Sequence, residues 1–113
     1  MDLNSYISGF VDGEGCFSVS VHSNPFTHRH GGWQICPAFH VYQHSDHRLV
    51  LDALHSHFGC GYIRPKGPRS TVLTYAVSAL RDLETTIVPF FEEQRLLVKD
   101  EDFRIFAVIV RER

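Results

Sequence analysis

The sequence has no apolar run long enough to cross a membrane and no cleavable signal pattern at its start, so we expect a soluble intracellular protein. Cysteine is scarce: Cys16, Cys36 and Cys60 are odd in number and far apart, which disfavours a disulfide framework. No CxxC pair is present, and His55 and His57 lie two residues apart, whereas two zinc ligands on one helix need a spacing of four. The sequence therefore argues against a structural zinc site.

A strong positive charge is also lacking, since the net charge of the 113 residues is −2. Domains that bind nucleic acid are usually basic, so this composition argues against strong nonspecific binding to a polyanion. The charge is unevenly distributed, however. Residues 16–77 carry five basic and two acidic side chains and all eight histidines, whereas both flanks are acidic. The middle of the chain is therefore the part suited to a nucleic acid.

The length of 113 residues with 43% hydrophobic content predicts one domain with a single small core. Hydrophobic periodicity predicts eight elements in the order helix, strand, strand, helix, strand, strand, helix, helix. The predicted strands are 16–22, 33–43, 62–66 and 72–77, and the predicted helices are 3–13, 46–58, 79–88 and 100–111. This αββαββαα order predicts an α+β sandwich, with a four-stranded antiparallel sheet covered by helices on one face.

Local signals predict where several helices begin and end. Asp2 or Asn4 can cap the first helix, because short polar side chains accept hydrogen bonds from the free N–H groups there. Gly59 is suited to closing the second helix in the left-handed conformation. Pro89 is expected to end the third helix, because the residue before a proline disfavours helical geometry.

The first helix combines close packing with acidic residues at its end. Gly9 and Gly13 stand four residues apart on one stripe, where missing side chains let another helix approach closely. Asp12 and Glu14 lie near the helix end, where the backbone carbonyls repel a carboxylate. A divalent cation would reverse this repulsion, since carboxylate and carbonyl oxygens are the ligands that magnesium prefers. The alternative is a Gly-rich turn with solvated acids.

The predicted strands have one polar face, opposite the apolar side chains of Phe17, Val19 and Val21. A two-stranded or broader ribbon fits the DNA major groove, where Gln, Asn and Arg can each make two hydrogen bonds to one base edge. The candidates for DNA contact on this face are Ser18, Ser20, His22, Asn24, Gln34, Cys36, His40, Arg64, Lys66 and Thr74. The alternative is a polar face that simply contacts water.

The string ISGFVDGEG from Ile7 to Gly15 resembles the motif of the LAGLIDADG homing endonucleases in its GF-x-DGEG-x-F form, with Phe17 in the last place. Later segments resemble a single subunit of that family and follow in the same order, over nearly the full length. These segments are 39–43, 51–63, 75–78, 87–91 and 99–103. The resemblance implies a subunit whose saddle-shaped sheet binds double-stranded DNA.

The resemblance also implies a metal-dependent DNA endonuclease that cuts a long target. Glu14 matches the metal-binding acid, Gly15 the adjacent turn with a carbonyl ligand, and Gln43 and Lys99 the polar pair around the metals. The implied cofactor is Mg²⁺, or another divalent cation such as Mn²⁺ or Ca²⁺. No membrane partner and no small-molecule substrate are implied.

Only one motif is present, so the resemblance implies a homodimer in which two motif helices pack side by side on a roughly palindromic site. The expected seam residues are Ile7, Ser8, Gly9, Phe10, Asp12 and Gly13. Many members of the family continue with further C-terminal helices, whereas this sequence ends soon after its last predicted helix.

Two other classes of function stay open at this point. One is a non-cleaving relative, either an RNA-splicing maturase or a DNA-binding regulator, although Glu14 together with Gln43 and Lys99 favours retained chemistry. The other is a small α+β ligand-binding module without nucleic acid, which the negative net charge favours.

Overall fold

The computed structural model describes residues 2–26 and 29–112 and contains a four-stranded antiparallel sheet with strand order β1-β2-β4-β3. The strands are β1 (Gly15–Ser23), β2 (Trp33–His44), β3 (Tyr62–Pro65) and β4 (Val72–Val77). The helices are α1 (Leu3–Glu14), α2 (Arg48–Phe58), α3 (Leu80–Asp82), α4 (Val88–Glu93) and α5 (Asp100–Glu112). A π-helical turn (Leu83–Ile87) joins α3 to α4, so the order αββαββαα is confirmed.

Helix α1 is fixed at both of its ends. The Asp2 carboxylate caps its start, accepting hydrogen bonds from the Asn4 N–H at 3.1 Å and the Ser5 hydroxyl at 2.7 Å. Its last residue leads directly into β1 through Gly15, where a Cβ would lie 2.7 Å from Cγ1 of Val11. The tight junction therefore requires glycine, and it holds the end of α1 against the sheet.

The core lies between the helices and one face of the sheet. Ile7 and Val11 of α1 are fully buried in the same cluster as Phe39 and Val41 of β2. Phe91 of α4 lies among four aromatic side chains, with ring centroids within 6.3 Å of those of Phe17, Phe39, Phe58 and Phe103. This packing joins α2, α4 and α5 to the sheet.

The prediction that Pro89 ends the third helix is wrong. The helix continues to Glu93, and Pro89 lies in the first turn of α4, where the missing N–H costs least. The π-helical turn directly before α4 shifts the hydrogen-bond register, so the chain passes the proline without leaving the helix. Gly59 does close α2, with a φ of 70° in the left-handed region.

Val19 and Val21 lie on the predicted apolar face of β1, but they are not buried. These side chains are 38% and 56% exposed, and Trp33 beside them is 51% exposed. Burial in β1 and β2 is confined to the part near α1, so the far half of this hairpin extends beyond the helices. Alternation sets the face of each side chain, but within residues 2–26 and 29–112 no helix reaches far enough to cover Val19 and Val21.

Cys16, Cys36 and Cys60 are free thiols. Within residues 2–26 and 29–112, no helix is both long and apolar enough to cross a membrane.

Candidate functional site

The three segments that carry the predicted catalytic residues meet at the end of α1. Glu14 is the last residue of α1 and is exposed. Gly15 pairs with the residue of β2 that lies two positions before Gln43. Lys99 reaches the same helix end, because its Nζ donates a hydrogen bond to the Asp12 carbonyl oxygen at 2.8 Å. An acid, an amide and an ammonium group from three distant segments therefore belong to one region.

The Gln43 side chain is partly committed within this region. Its Oε1 accepts the backbone N–H of His44 at 2.8 Å. This bond holds the amide plane and leaves the Nε2 group as a donor to a further acceptor.

The carboxylate of Asp12 faces the segment that precedes α5. It accepts backbone hydrogen bonds from Leu97 at 3.0 Å, from Val98 at 2.9 and 3.1 Å, and from Lys99 at 2.9 Å. Burial alone would raise the pKa of Asp12, but these hydrogen bonds and the charge of Lys99 lower it overall. The Asp12 carboxylate is therefore engaged within the chain, and its place at a seam stays a prediction.

Lys99 explains how α1 can end with two acidic residues. The carbonyls at a helix C-terminus carry a partial negative charge, which disfavours the nearby carboxylates of Asp12 and Glu14. The Lys99 ammonium group lies against one of those carbonyls and offsets this charge. In the described part of the chain, the Glu14 carboxylate makes no hydrogen bond or ion pair of its own. It is therefore free to bind a ligand.

The donors at this helix end fit a hard divalent cation. The exposed Glu14 carboxylate and the backbone carbonyl of Gly15 are oxygen ligands, which Mg²⁺ and Ca²⁺ prefer. Among the described residues, no group of three or more His, Cys, Asp and Glu side chains is placed to hold a metal. A single subunit therefore supplies one free carboxylate here and only part of a coordination shell.

The predicted DNA contacts lie in neighbouring rows on the polar face of the sheet. Strand register pairs His22 with Gln34, Ser20 with Cys36 and Arg64 with Thr74. At the far end of the hairpin these groups form exposed pairs. Ser20 Oγ lies 3.1 Å from Nε2 of His22, and Nδ2 of Asn24 donates to Oε1 of Gln34 at 3.2 Å. Ser18 is partly buried, with its hydroxyl 3.4 Å from the Ala38 carbonyl oxygen.

Two tyrosines outside the predicted set of DNA contacts hold the basic side chains of this face. The Arg64 guanidinium carbon lies 4.9 Å from the ring centroid of Tyr62, and Lys66 Nζ lies 4.8 Å from that of Tyr42. Such cation–π contacts limit the freedom of the two charges. Strand alternation could have indicated both tyrosines, because it places them on the same face of the sheet as the basic residues.

Arg64, Lys66 and Tyr42 line an open cavity of about 250 Å³ on the polar face. Thr74 also lines this cavity and is 7% exposed, so little of its side chain is open to the predicted DNA contact. Its β4 position falls between two longer side chains on the neighbouring strands, which shield it. His40 is half-buried beside it, and burial followed by the charge of Arg64 lowers its pKa, which leaves the ring neutral near pH 7.

The outer face of α1 is open. Gly9 and Gly13 are exposed, and a Cβ at either position would meet nothing within 4 Å. Phe10 stacks on Tyr6 beside this stripe, with ring centroids 6.4 Å apart. Ile7 is 1% exposed and belongs to the core, so its predicted place at a seam is wrong.

Ser8, the remaining predicted seam residue, is partly buried and donates its hydroxyl hydrogen bond to the Ser5 carbonyl oxygen at 3.1 Å. Leu97 and Val98, which were not selected, are 90% and 81% exposed beside the end of α1. No periodic pattern marks these two residues, because they lie in an irregular segment.

Comparison with protein families matches residues 7–110 to the LAGLIDADG endonuclease family. The chain is 30% identical over 108 residues to the homing endonuclease I-ApeII of Aeropyrum pernix, a match that covers 96% of this chain. It is 31% identical over 88 residues to the DNA endonuclease I-CreI of Chlamydomonas reinhardtii, a match that covers 77% of this chain. The chain spans 62% and 52% of the lengths of these two relatives.

Two solved structures share the fold. The crystal structure of the homing endonuclease I-TnaI has a TM-score of 0.87 and 36% identity, covering 98% of this chain and 74% of that one. The meganuclease I-SmaMI bound to uncleaveable DNA has a TM-score of 0.90 and 26% identity, covering 98% of this chain and 37% of that one. These matches confirm the α+β class with its four-stranded antiparallel sheet.

Proposed function

Because the chain belongs to the LAGLIDADG endonuclease family, we propose that it is a site-specific DNA endonuclease that hydrolyses phosphodiester bonds with the help of a divalent cation. The observation that carries this proposal is the end of α1. There the Glu14 carboxylate is exposed, and the Lys99 ammonium group is held 2.8 Å from the Asp12 carbonyl oxygen, two residues before Glu14. A solved structure of I-SmaMI with an uncleaved DNA target and calcium ions supports the choice of a divalent cation.

The residues at the end of α1 have separate roles in this proposal. Glu14 and the carbonyl of Gly15 would hold the cation, which would supply activation of a water molecule and offset of charge on the phosphate. Lys99 supplies a fixed positive charge for the negative charge that develops on phosphate oxygens. Gln43 donates from Nε2 and orients a water molecule or a phosphate oxygen.

We propose that double-stranded DNA lies along the polar face of the sheet. Arg64 and Lys66 are held in place by their tyrosine contacts, and the far half of the β1–β2 hairpin offers exposed amide and imidazole groups. A guanidinium or amide group held in one direction can discriminate a base edge, because its donors have fixed geometry. DNA affinity then depends more on these polar contacts than on net charge.

We propose that the active enzyme is a homodimer with α1 at its centre. One subunit offers one free carboxylate at the end of α1, whereas cutting two strands requires two such centres. The open stripe at Gly9 and Gly13 lets a second α1 approach closely. Twofold symmetry then implies a roughly palindromic target, with one half read by each sheet.

Selection from a randomised DNA library in the presence of Mg²⁺ tests this proposal. We expect the chain to cut a subset of sequences related by an approximate twofold axis. Glu14→Gln is the inactive control, and it should bind the same sequences without cutting them. Binding without cutting by the wild-type chain would replace the proposal with a non-cleaving regulator. No binding at all would remove DNA as the substrate.

A further inference from the structure

The segment that carries Lys99 is held by hydrogen bonds rather than by side-chain packing. Leu97 and Val98 are 90% and 81% exposed, so their side chains contribute little packing. The chain is anchored beyond the ends of this segment, where Leu96 and Phe103 are each 3% exposed and Arg95 pairs with Asp100 at 3.0 Å. The backbone position of residues 97–99 therefore depends on polar contacts, and the carboxylate of Asp12 receives all three N–H groups.

These contacts also place Asp12 at the start of α5. The Lys99 carbonyl oxygen accepts the Phe103 N–H at 2.8 Å, which is the first hydrogen bond of the helical ladder. A carboxylate near the free N–H groups at a helix start is stabilised by the helix dipole as well as by the hydrogen bonds themselves. Asp12 thereby ties the last turn of α1 to the first turn of α5.

Asp12 contacts Lys99 at both ends of that residue. Its carboxylate accepts the Lys99 N–H at 2.9 Å, and its carbonyl oxygen accepts Lys99 Nζ at 2.8 Å. The lysine side chain is long and flexible, and ordering it is costly unless its base and its tip are both held. Glu14 follows on the same helix two residues later, so Asp12 sets the position of the ammonium group relative to that acid.

We propose that Asp12 is a positioning residue, which holds segment 97–99 and thereby fixes the Lys99 ammonium group at the end of α1 that carries Glu14. Its carboxylate oxygens already accept backbone hydrogen bonds, so we assign it no contact with DNA or with a metal. The effect of this arrangement on cleavage rests on the proposed endonuclease function. The arrangement itself does not, and the two can be tested separately.

The sequence offers an internal control for the position of the ammonium group, because Lys66 and Lys99 are its two lysines. Acetylation of both amines can be followed by mass spectrometry in one sample of the free protein. Asp12→Asn keeps the shape of the side chain but replaces an acceptor oxygen with an amide donor. We expect Lys99 to react several-fold faster in this variant, with Lys66 unchanged. Amide exchange at residues 97–99 should accelerate about tenfold or more.

Asp2→Asn is the matched control, because it makes the same substitution in the same helix at the opposite end. It should leave the acetylation of Lys99 and the exchange of residues 97–99 as they are in the wild-type chain. Unchanged acetylation and exchange in Asp12→Asn would overturn the positioning role. If Asp12→Asn does not fold, Asp12→Ser, which retains one acceptor, replaces it. The same acetylation and amide-exchange results then support or overturn the positioning role.

A double-mutant cycle on a selected DNA target tests the consequence for cleavage. We expect Asp12→Asn to lower the single-turnover cutting rate about tenfold, with unchanged DNA affinity and dimer content. In a Lys99→Ala background the same substitution should cause no further loss, because the group it positions is gone. Additive losses, or a loss that falls on DNA affinity alone, would show that Asp12 acts by another route. If the wild-type chain cuts no DNA, the proposed function fails, while acetylation and exchange still decide the positioning role.

Discussion

At the scale of single residues, function and stability are separable at the end of α1. Glu14 is exposed and bonds to nothing within the described part of the subunit, so replacing it costs no packing and no hydrogen bond. Asp12 differs, because its carboxylate joins two elements and its loss disturbs the segment before α5. Substitutions of the two acidic residues are therefore expected to have different effects: loss of Glu14 should affect cutting, and loss of Asp12 should affect the structure before α5.

Glu14→Gln is expected to keep the fold and the DNA affinity while lowering the cutting rate by roughly 100-fold or more, because a neutral amide binds a cation weakly and cannot offset its charge. Cleavage of a selected target and thermal unfolding measure the two effects. Glu101→Gln, at an exposed position on α5, is the control and should cut normally. Undiminished cutting by Glu14→Gln would remove Glu14 from the metal site.

A second residue-scale prediction concerns the Glu92–Arg111 pair, which joins α4 to α5 through two hydrogen bonds. The hydrogen bond from Arg111, and then its charge, lower the pKa of Glu92 below its ordinary value of 4.5. A lowered folded-state pKa adds stability above the ordinary pKa, and this stability is lost as the pH falls through the folded-state value. Glu92→Gln should therefore destabilise the protein at pH 7 but not well below pH 4.5.

The loss at pH 7 should not exceed about 1 kcal/mol, because the pair is partly exposed to solvent. Urea denaturation at the two pH values measures it. Glu93→Gln changes the neighbouring exposed acid and serves as the control. A loss of equal size at both pH values would mean that Glu92 stabilises the protein by packing rather than by charge.

At the scale of elements, one face of α1 is buried and the other is open. Ile7 and Val11 are buried against the sheet, whereas Gly9 and Gly13 leave the opposite face open. Gly15 at the junction is a glycine of another kind, because a Cβ there would lie 2.9 Å from the Val11 carbonyl oxygen. Substituting glycines at these places should separate assembly from folding.

Gly9→Leu is expected to weaken self-association while the subunit stays folded. A side chain at this position meets open space, and leucine gains up to about 1 kcal/mol of helix propensity over glycine. Analytical ultracentrifugation and thermal unfolding measure the two properties. An unchanged dimer would show that this stripe is not the seam.

Gly15→Ala is expected to do the opposite and lower the free energy of unfolding by about 1–3 kcal/mol, because the new methyl group overlaps the backbone and side chain of Val11. Urea unfolding measures this loss. A variant as stable as the wild-type chain would mean that the junction between α1 and β1 can shift without cost.

The elements that could be predicted from sequence are those specified by nearby residues. Strand β4 has the predicted bounds 72–77, and Asp2 and Gly59 end their helices as expected, since alternation and capping act over a few positions. The contact between Asp12 and Val98 spans 86 residues, and no local pattern signals it. The exposure of Val21 could not be predicted for a related reason, because alternation assigns a side chain to a face of the sheet without showing whether a helix covers that face.

At the scale of the whole molecule, residues 16–77, which contain the sheet, carry excess positive charge between two acidic flanking segments. Because each phosphate contact releases counterions, the salt dependence of DNA binding counts the contacts made. A homodimer uses every contact twice. The change in slope caused by one substitution therefore reports both the contact and the symmetry.

Lys66→Met is expected to reduce the slope of log K against log salt by about two, which is twice the value of about 0.9 for one lost phosphate contact. Fluorescence anisotropy over a salt series with a selected target measures this slope. Arg81→Met, on the helical side of the molecule, is the control and should leave the slope unchanged. A change of about one would contradict two equivalent subunits on the DNA.

The far half of the β1–β2 hairpin, where both faces lie outside the helical layer, has a consequence for how the protein can evolve. Exposed positions such as Ser20, His22 and Gln34 tolerate replacement within about 0.5 kcal/mol, and here the reverse side of the strands is exposed as well. New combinations of side chains can therefore accumulate on this hairpin without passing through unfolded intermediates. Such a chain could acquire a new recognition sequence by successive neutral steps, while the end of α1 stays unaltered.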